Sequence, residues 1–209
     1  MSAARRHFAK VDPVLDALCR RIGPCRLAVR RQMEPYESLV RAIAHQQLHG
    51  RAAQMILGRF LALYSGAAFP EPERVAATDD ATLRACGFSA SKVAAIRDIA
   101  RHAASGVVPT RRAAARLSDE ALIERLTAIR GVGRWTVEML LMFTLGRPDV
   151  LPVDDFGIRE GFRRLHGLEQ QPKPRELAQT GVMWSPYRST AAWYLWRAAD
   201  EGKAIKQSV

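Results

Sequence analysis

An all-α fold is predicted for this chain by three observations. Apolar residues recur at helical spacing along most of it, Gly and Pro interrupt those runs at short intervals, and no alternating strand pattern extends beyond a few residues. Tyr36, Leu39, Val40 and Ile43 fall on one face of a helix beginning after Pro35. A polar break, His45-Gln46-Gln47-Leu48-His49-Gly50, separates it from a second amphipathic run carrying Ile56, Leu57, Phe60, Leu61 and Tyr64 and stopping at Gly66. Asp79 to Ala85, ended by Gly87, and Ser91 to Ala104, ended by Gly106, read as the next two helices. Ser118 is a candidate N-cap, with Asp119 and Glu120 in a first turn where acidic side chains complement the helix dipole. Leu122, Leu126 and Ile129 repeat at i, i+4 and i+7 on that helix, which runs into Arg130-Gly131-Val132-Gly133. Another helix starts at once, with Val137, Leu140, Leu141 and Leu145 inward, and ends at Gly146 and Pro148. Only Leu27-Ala28-Val29 suggests a short extended piece.

Composition narrows the functional classes. The 209 residues suffice for one sizeable domain or two lobes sharing a core, and an apolar fraction of 48% with 25% charged residues is that of a soluble globular chain. The apolar stretches are too short to cross a bilayer and no apolar segment follows the basic N-terminus, so a cytoplasmic location is expected. Thirty-two basic against 21 acidic residues leave a net charge of +11, a field that attracts polyanions, nucleic acid first among them. Cys19, Cys25 and Cys86 have no metal-site spacing, and an odd number argues against a disulfide framework.

Two local features carry chemistry. In Leu126 to Leu140, two helices meet at a tight turn where Gly131 and Gly133 remove side chains, allowing positive φ and close approach of bare amides to a ligand. Amides at the N-terminus of the second helix, flanked by Arg130 and Arg134, suit a phosphate, although the same turn could simply connect two helices. Downstream, Leu151-Pro152-Val153-Asp154-Asp155-Phe156-Gly157-Ile158-Arg159 places two aspartates at a helix start, where one caps and the other complements the dipole.

Taken together, Leu126 to Arg159 resembles the helix-hairpin-helix superfamily of base-excision DNA glycosylases. There, an L-x-x-x-x-G-[VI]-G-[RK] hairpin is followed about twenty residues later by an aspartate opening the next helix. PYESLVRAIAHQQLHGRAA, GRWT, LPVDD and WSPYRSTAAWYLW extend the resemblance to the 3-methyladenine DNA glycosylase II branch, over roughly residues 35 to 197. Members of this branch often carry an additional N-terminal β-rich domain; the chain is too short for it and resembles the compact members. The resemblance implies two lobes, approximately 33–147 and 1–32 with 148–209, and an active site in the cleft between them.

The implied roles follow residue by residue. Alignment on Phe156-Gly157-Ile158-Arg159 makes Asp155 the catalytic carboxylate and leaves Asp154 to cap the helix. Trp135 and Trp196 match the family's pocket tryptophans, with Tyr36 and Trp193 as further candidates and Trp184 assigned to the core. Gly131, Gly133, Arg130 and Arg134 would meet the DNA backbone. Gln47 or Leu48 would fill the gap left when a base is turned out of the duplex. Bifunctional relatives carry a lysine where Trp135 stands, so the chain is expected to lack lyase activity. Endonuclease III-like relatives bind an iron–sulfur cluster on four cysteines near the C-terminus, which this chain does not offer. His45 and His49 lie one helical turn apart with no third ligand evident, so no metal pair is expected. The only cofactor implied is the structural monovalent cation that the family's hairpin often holds on backbone carbonyls. The expected partner is double-stranded DNA with alkylated bases, bound by a monomer. A non-catalytic helix-hairpin-helix DNA-binding module would share the hairpin and the charge, but not the aspartate or the tryptophan-rich C-terminal segment. A bifunctional glycosylase/lyase or a ribosome-associated helical protein fits fewer of these features.

Overall fold

Ser2 and the Asp12-Pro13 pair open two helices that apolar periodicity alone did not bring out. In the computed structural model, which describes residues 1–48, 50–64 and 69–206 (backbone only for 50 and 202–206), α1 spans Ala3–Val11 and α2 Pro13–Ile22. The Ser2 hydroxyl accepts the Arg5 amide, and the Asp12 carboxylate accepts the Leu15 amide at 2.9 Å with Pro13 at the first helical position. Further on come α3 (Pro35–His45), α4 (Gly50–Ala62), α5 (Pro72–Ala77), α6 (Asp80–Ala85), α7 (Ala90–Ala104), α8 (Arg111–Ala114), α9 (Asp119–Thr127) and α10 (Arg134–Leu140). A π-helical turn, Leu141–Leu145, continues α10. The chain closes with α11 (Phe156–Leu165), α12 (Pro174–Gly181), a 3-10 turn at Val182–Trp184 and α13 (Arg188–Lys206). The fold is all-helical, with no strand among the described residues, and Leu27 to Val29 forms none. The expected stop at Gly66, like the His49 position, lies outside the described residues.

The chain divides into two compact units, 30–145 and 1–29 with 146–209. In the first, α3, α7, α9 and α10 bury Leu39, Ile43, Ile96, Ile99, Leu122 and Leu126 completely or nearly so. Caps fall where short polar side chains stand: Asp79 before α6, Ser89 before α7 and Ser118 before α9 each accept an amide three residues on. Ser89, not Ser91, therefore starts α7. The π turn leaves carbonyls to satisfy, and Arg111 supplies the donors: its guanidinium bonds the Thr144, Arg30 and Arg31 carbonyls.

The second unit is built on α11 against α13. Gly161 lets their backbones touch, because a Cβ there would lie 1.8 Å from the Leu195 carbonyl oxygen. The Trp184 ring is fully buried, as expected, and its indole N–H donates to Asp12 at 2.9 Å. Asp16, also buried, is bound by Arg5 and Arg20. On α11, Glu160 meets Arg163 at 2.9 Å and Arg164 at 2.6 Å. The Arg163 hydrogen bond, aided by Gln171 and Arg164 and opposed by burial, lowers its pKa from 4.5 to about 2. A depressed carboxylate pKa adds stability that is present above the unfolded-state value and lost as pH falls through the folded one. The stability advantage of wild type over Glu160→Gln should therefore shrink below about pH 4.5 and vanish near about pH 2. Urea unfolding midpoints of both proteins across that range check this; a constant gap contradicts it.

Candidate active site

The turn after α9 is built from inside out. Ile129 and Val132 are buried and anchor it to the core, while Gly131 and Gly133 between and after them are exposed. Gly131 has φ +78°, and a Cβ there would sit 2.9 Å from that of Ala95, so glycine is required on two counts. Gly133 does not use the positive φ that glycine allows. Its φ is −88° and a Cβ added there would meet nothing within 4 Å, so what it provides is open space at the N-terminus of α10. The Arg130 amide donates to Asp98 at 2.9 Å, and its residue is exposed. Arg134 is also exposed but pairs with the buried Glu138 at 3.0 Å, which compensates part of its charge.

The same unit carries an open cavity of about 600 Å³, within the range of small-molecule sites. Trp135, Met139 and Phe143 form one wall; His45, Gln46 and Gln47 contribute to another. Trp135 is 43% exposed, which leaves part of its side chain open at the cavity. Met139 and Phe143 were missed by sequence reasoning, yet their i+4 and i+8 spacing from Trp135 marks a second apolar stripe opposite Val137, Leu140 and Leu141. Gln47 is exposed with φ +56°, the sole non-glycine residue with positive φ among those described, and Leu48 is 39% exposed. Both wedge candidates thus stand at the surface of the α3–α4 turn. The Gln46 amide reaches the Gly131 carbonyl at 3.3 Å, tying this turn to the hairpin. Tyr36 does not line the cavity. It shares the inward face of α3 with Leu39 and Ile43, is buried edge-on to Phe69 at 5.6 Å, and burial pushes its hydroxyl pKa up.

In the other unit, Asp155 itself caps α11. Its Oδ1 accepts the Ile158 amide and the Trp196 indole N–H, each at 2.9 Å. This corrects the assignment of the cap to Asp154, which is exposed and lies one residue too early to reach the first free amides. Gly157 makes the indole contact feasible, since a Cβ there would come within 2.9 Å of Trp196 and 3.2 Å of Asp155. The result is a half-buried carboxylate held by a backbone amide and a rigid ring, with Phe156 beside it 70% exposed. Trp193, half-buried, packs edge-on against Tyr194 and lies under the Arg197 guanidinium at 5.5 Å. The Asp155–Trp196 hydrogen bond joins residues 41 apart in sequence; the resemblance implied that both belong to the active site, but not this bond.

Among the described residues, no group of three His, Cys, Asp or Glu side chains is placed to hold a metal ion. Neutral backbone carbonyls, such as those of Ile129 and Gly131 in the hairpin turn, are the remaining donors. Each accepts one hydrogen bond and keeps a second lone pair.

Residues 40–186 match the HhH-GPD superfamily of base excision DNA repair proteins. The chain is 45% identical over 212 aligned positions to DNA-3-methyladenine glycosylase 1 of Schizosaccharomyces pombe, covering 99% of this chain and 92% of that protein. It is similar to the solved structure of the S. pombe 3-methyladenine DNA glycosylase in complex with abasic DNA, at a TM-score of 0.82 and 45% identity, with 94% and 96% of the two chains covered. Against the DNA-3-methyladenine glycosidase of Bacillus halodurans the TM-score is 0.88 at 35% identity, covering 97% and 92%.

Proposed function

The chain belongs to the HhH-GPD superfamily of base excision DNA repair proteins, and on that premise we propose that it hydrolyses the N-glycosidic bond of alkylated purines in duplex DNA, releasing bases of the 3-methyladenine and 7-methylguanine type. The observation that carries this reading is the Asp155 carboxylate, fixed at 2.9 Å by both the Ile158 amide and the Trp196 indole. Breaking the bond at C1′ develops oxocarbenium character in the sugar, and a carboxylate already oriented before the reaction stabilises that charge without reorganising. The same group orients the attacking water or accepts its proton.

Alkylation at N3 or N7 makes the purine cationic, so the base is a good leaving group and needs little protonation. It also stacks favourably on an electron-rich ring, the role assigned to the exposed Trp135 at the cavity wall. Gln47 and Leu48 are the residues assigned to the gap in the duplex, and the open Gly133 end of the hairpin to the DNA backbone. Arg130 and the net charge of +11 add attraction for phosphate. With tryptophan at the position where bifunctional relatives carry lysine, the reaction ends at an intact abasic strand. A monovalent cation on the hairpin carbonyls would add positive charge next to the backbone amides; the protein acts as a monomer.

Chromatography of bases released from methylated duplex DNA, with denaturing gels and borohydride trapping of the strands, tests the proposal. Release of methylated purines with uncut, untrapped strands is the expected result. DNA binding without any base release would leave a non-catalytic binding module, and a trapped covalent complex would establish a lyase.

A further inference from the structure

Lys92 is a partly buried cation with no part in the chemistry outlined above. It stands at the third position of α7, where the Ser89 cap receives its amide at 3.3 Å and holds its backbone. Its ammonium donates to the Ala44 carbonyl at 2.9 Å, in the last turn of α3, and to the Gln46 carbonyl at 2.7 Å, in the turn beyond. Both acceptors belong to the end of a helix, where carbonyls have no amide four residues on. The next residue, Gln47, is held at φ +56°, a conformation that a glutamine leaves readily unless its surroundings impose it. Burial lowers the Lys92 pKa, so the site disfavours a free ammonium, and the two carbonyl acceptors are what hold it there.

From this geometry we infer that Lys92 is a positioning residue for base extrusion: its ammonium fastens the end of α3 to α7 and thereby holds the strained Gln47 and the adjoining Leu48 at the protein surface, ready to enter the duplex. The inference rests on the glycosylase reading, because it assigns the α3–α4 turn to the extrusion step. Two further observations support it. The Gln46 side chain ties the same turn to the Gly131 carbonyl, so the turn is fastened on two sides, by α7 and by the hairpin. His45, Gln46 and Gln47 also line the cavity, so the wedge stands beside the place that would receive the extruded base. Without the ammonium, two helix-end carbonyls lose their donor and Gln47 relaxes toward negative φ, which turns both side chains away from where a duplex would lie.

The test compares wild type with Lys92→Met, which keeps the apolar stem and removes both bonds. Single-turnover release is measured at saturating enzyme from 7-methylguanine in a paired duplex and from the same lesion in an unpaired bulge, which needs no extrusion. A 2-aminopurine beside the lesion reports loss of stacking directly. The expected result is about a tenfold or greater fall in rate on the duplex, with a matching loss of the fluorescence rise, and a rate within about twofold of wild type on the bulge. Equal losses on both substrates, or no loss on the duplex, overturn the inference. Should Lys92→Met unfold below the assay temperature, Lys92→Arg, which moves the donors onto a longer planar head, is held to the same contrast between substrates. If wild type releases base from neither substrate, the glycosylase reading fails. The fluorescence signal, which requires no bond cleavage, then decides Lys92 alone: a wild-type rise absent from the variant upholds it, and equal signals overturn it.

Discussion

Asp155→Asn should cut the rate of base release by about 10² to 10³-fold or more, the scale expected when a preorganised electrostatic partner of the transition state is removed. The substitution is chosen because the asparagine carbonyl can still accept the Ile158 amide and the Trp196 indole, both at 2.9 Å in the native protein. The cap of α11 is thus retained, and the unfolding midpoint and duplex affinity should stay close to wild type. Asp155→Ala removes the cap as well and should add about 1 kcal/mol of instability. Asp154→Asn supplies the control: Asp154 is exposed and caps nothing, so this variant should keep most of its activity. The measurement is single-turnover release of methylated purines by wild type and the three variants, alongside thermal unfolding. Near-native activity in a folded Asp155→Asn protein would remove the carboxylate from the mechanism.

Gly161→Ala should be the most disruptive single methyl in the second unit. Its Cβ would lie 1.8 Å from the Leu195 carbonyl oxygen and 2.6 Å from the carbonyl carbon, positions set by helical backbone that no side-chain rotation can clear. α11 and α13 must move apart, and overpacking of this kind costs about 1–3 kcal/mol, hence a fall of roughly 2–12 °C in unfolding midpoint. Because Asp155 caps α11 and Trp196 follows Leu195 on α13, the same movement stretches the bond between them, so activity should fall beyond what the lost stability explains. Gly58→Ala provides the opposite sign. Gly58 is exposed on α4 with nothing within 4 Å of its Cβ position, and alanine there should stabilise by up to about 1 kcal/mol. Circular-dichroism melting of both variants and base release by Gly161→Ala check the pair; an unchanged midpoint for Gly161→Ala would mean the two helices do not pack this closely.

The parts legible in the sequence were those whose physics is local. Caps and the glycine turn depend on residues three or four positions apart, so the starts of α3, α6, α7, α9 and α10 could be placed to within a residue or two. The hairpin and the aspartate following it are local in the same sense. Even there, near-equivalent neighbours were misordered: Ser89 rather than Ser91 starts α7, and Asp155 rather than Asp154 caps α11, because either residue of each pair has the right chemistry and only backbone geometry selects one. α1 and α2 are short helices whose starting signals, Ser2 and Asp12-Pro13, are strong but whose apolar stripes are brief, so periodicity passes over them.

By itself, then, the sequence determined the all-helical class, the glycine hairpin, the basic character and the aspartate that follows. Tertiary structure decided which way each aromatic side chain went. Tyr36 turned to the core with Leu39 and Ile43, whereas Trp135 stayed at the cavity wall with Met139 and Phe143. It also joined Asp155 to Trp196 across 41 residues, and Lys92 to carbonyls 46 and 48 residues away. The division has a physical cause. Backbone dihedrals and caps respond to the nearest few side chains, but a hydrogen bond between distant segments exists only once helix packing has fixed the distance and direction between them, and neither quantity is written in spacing or composition.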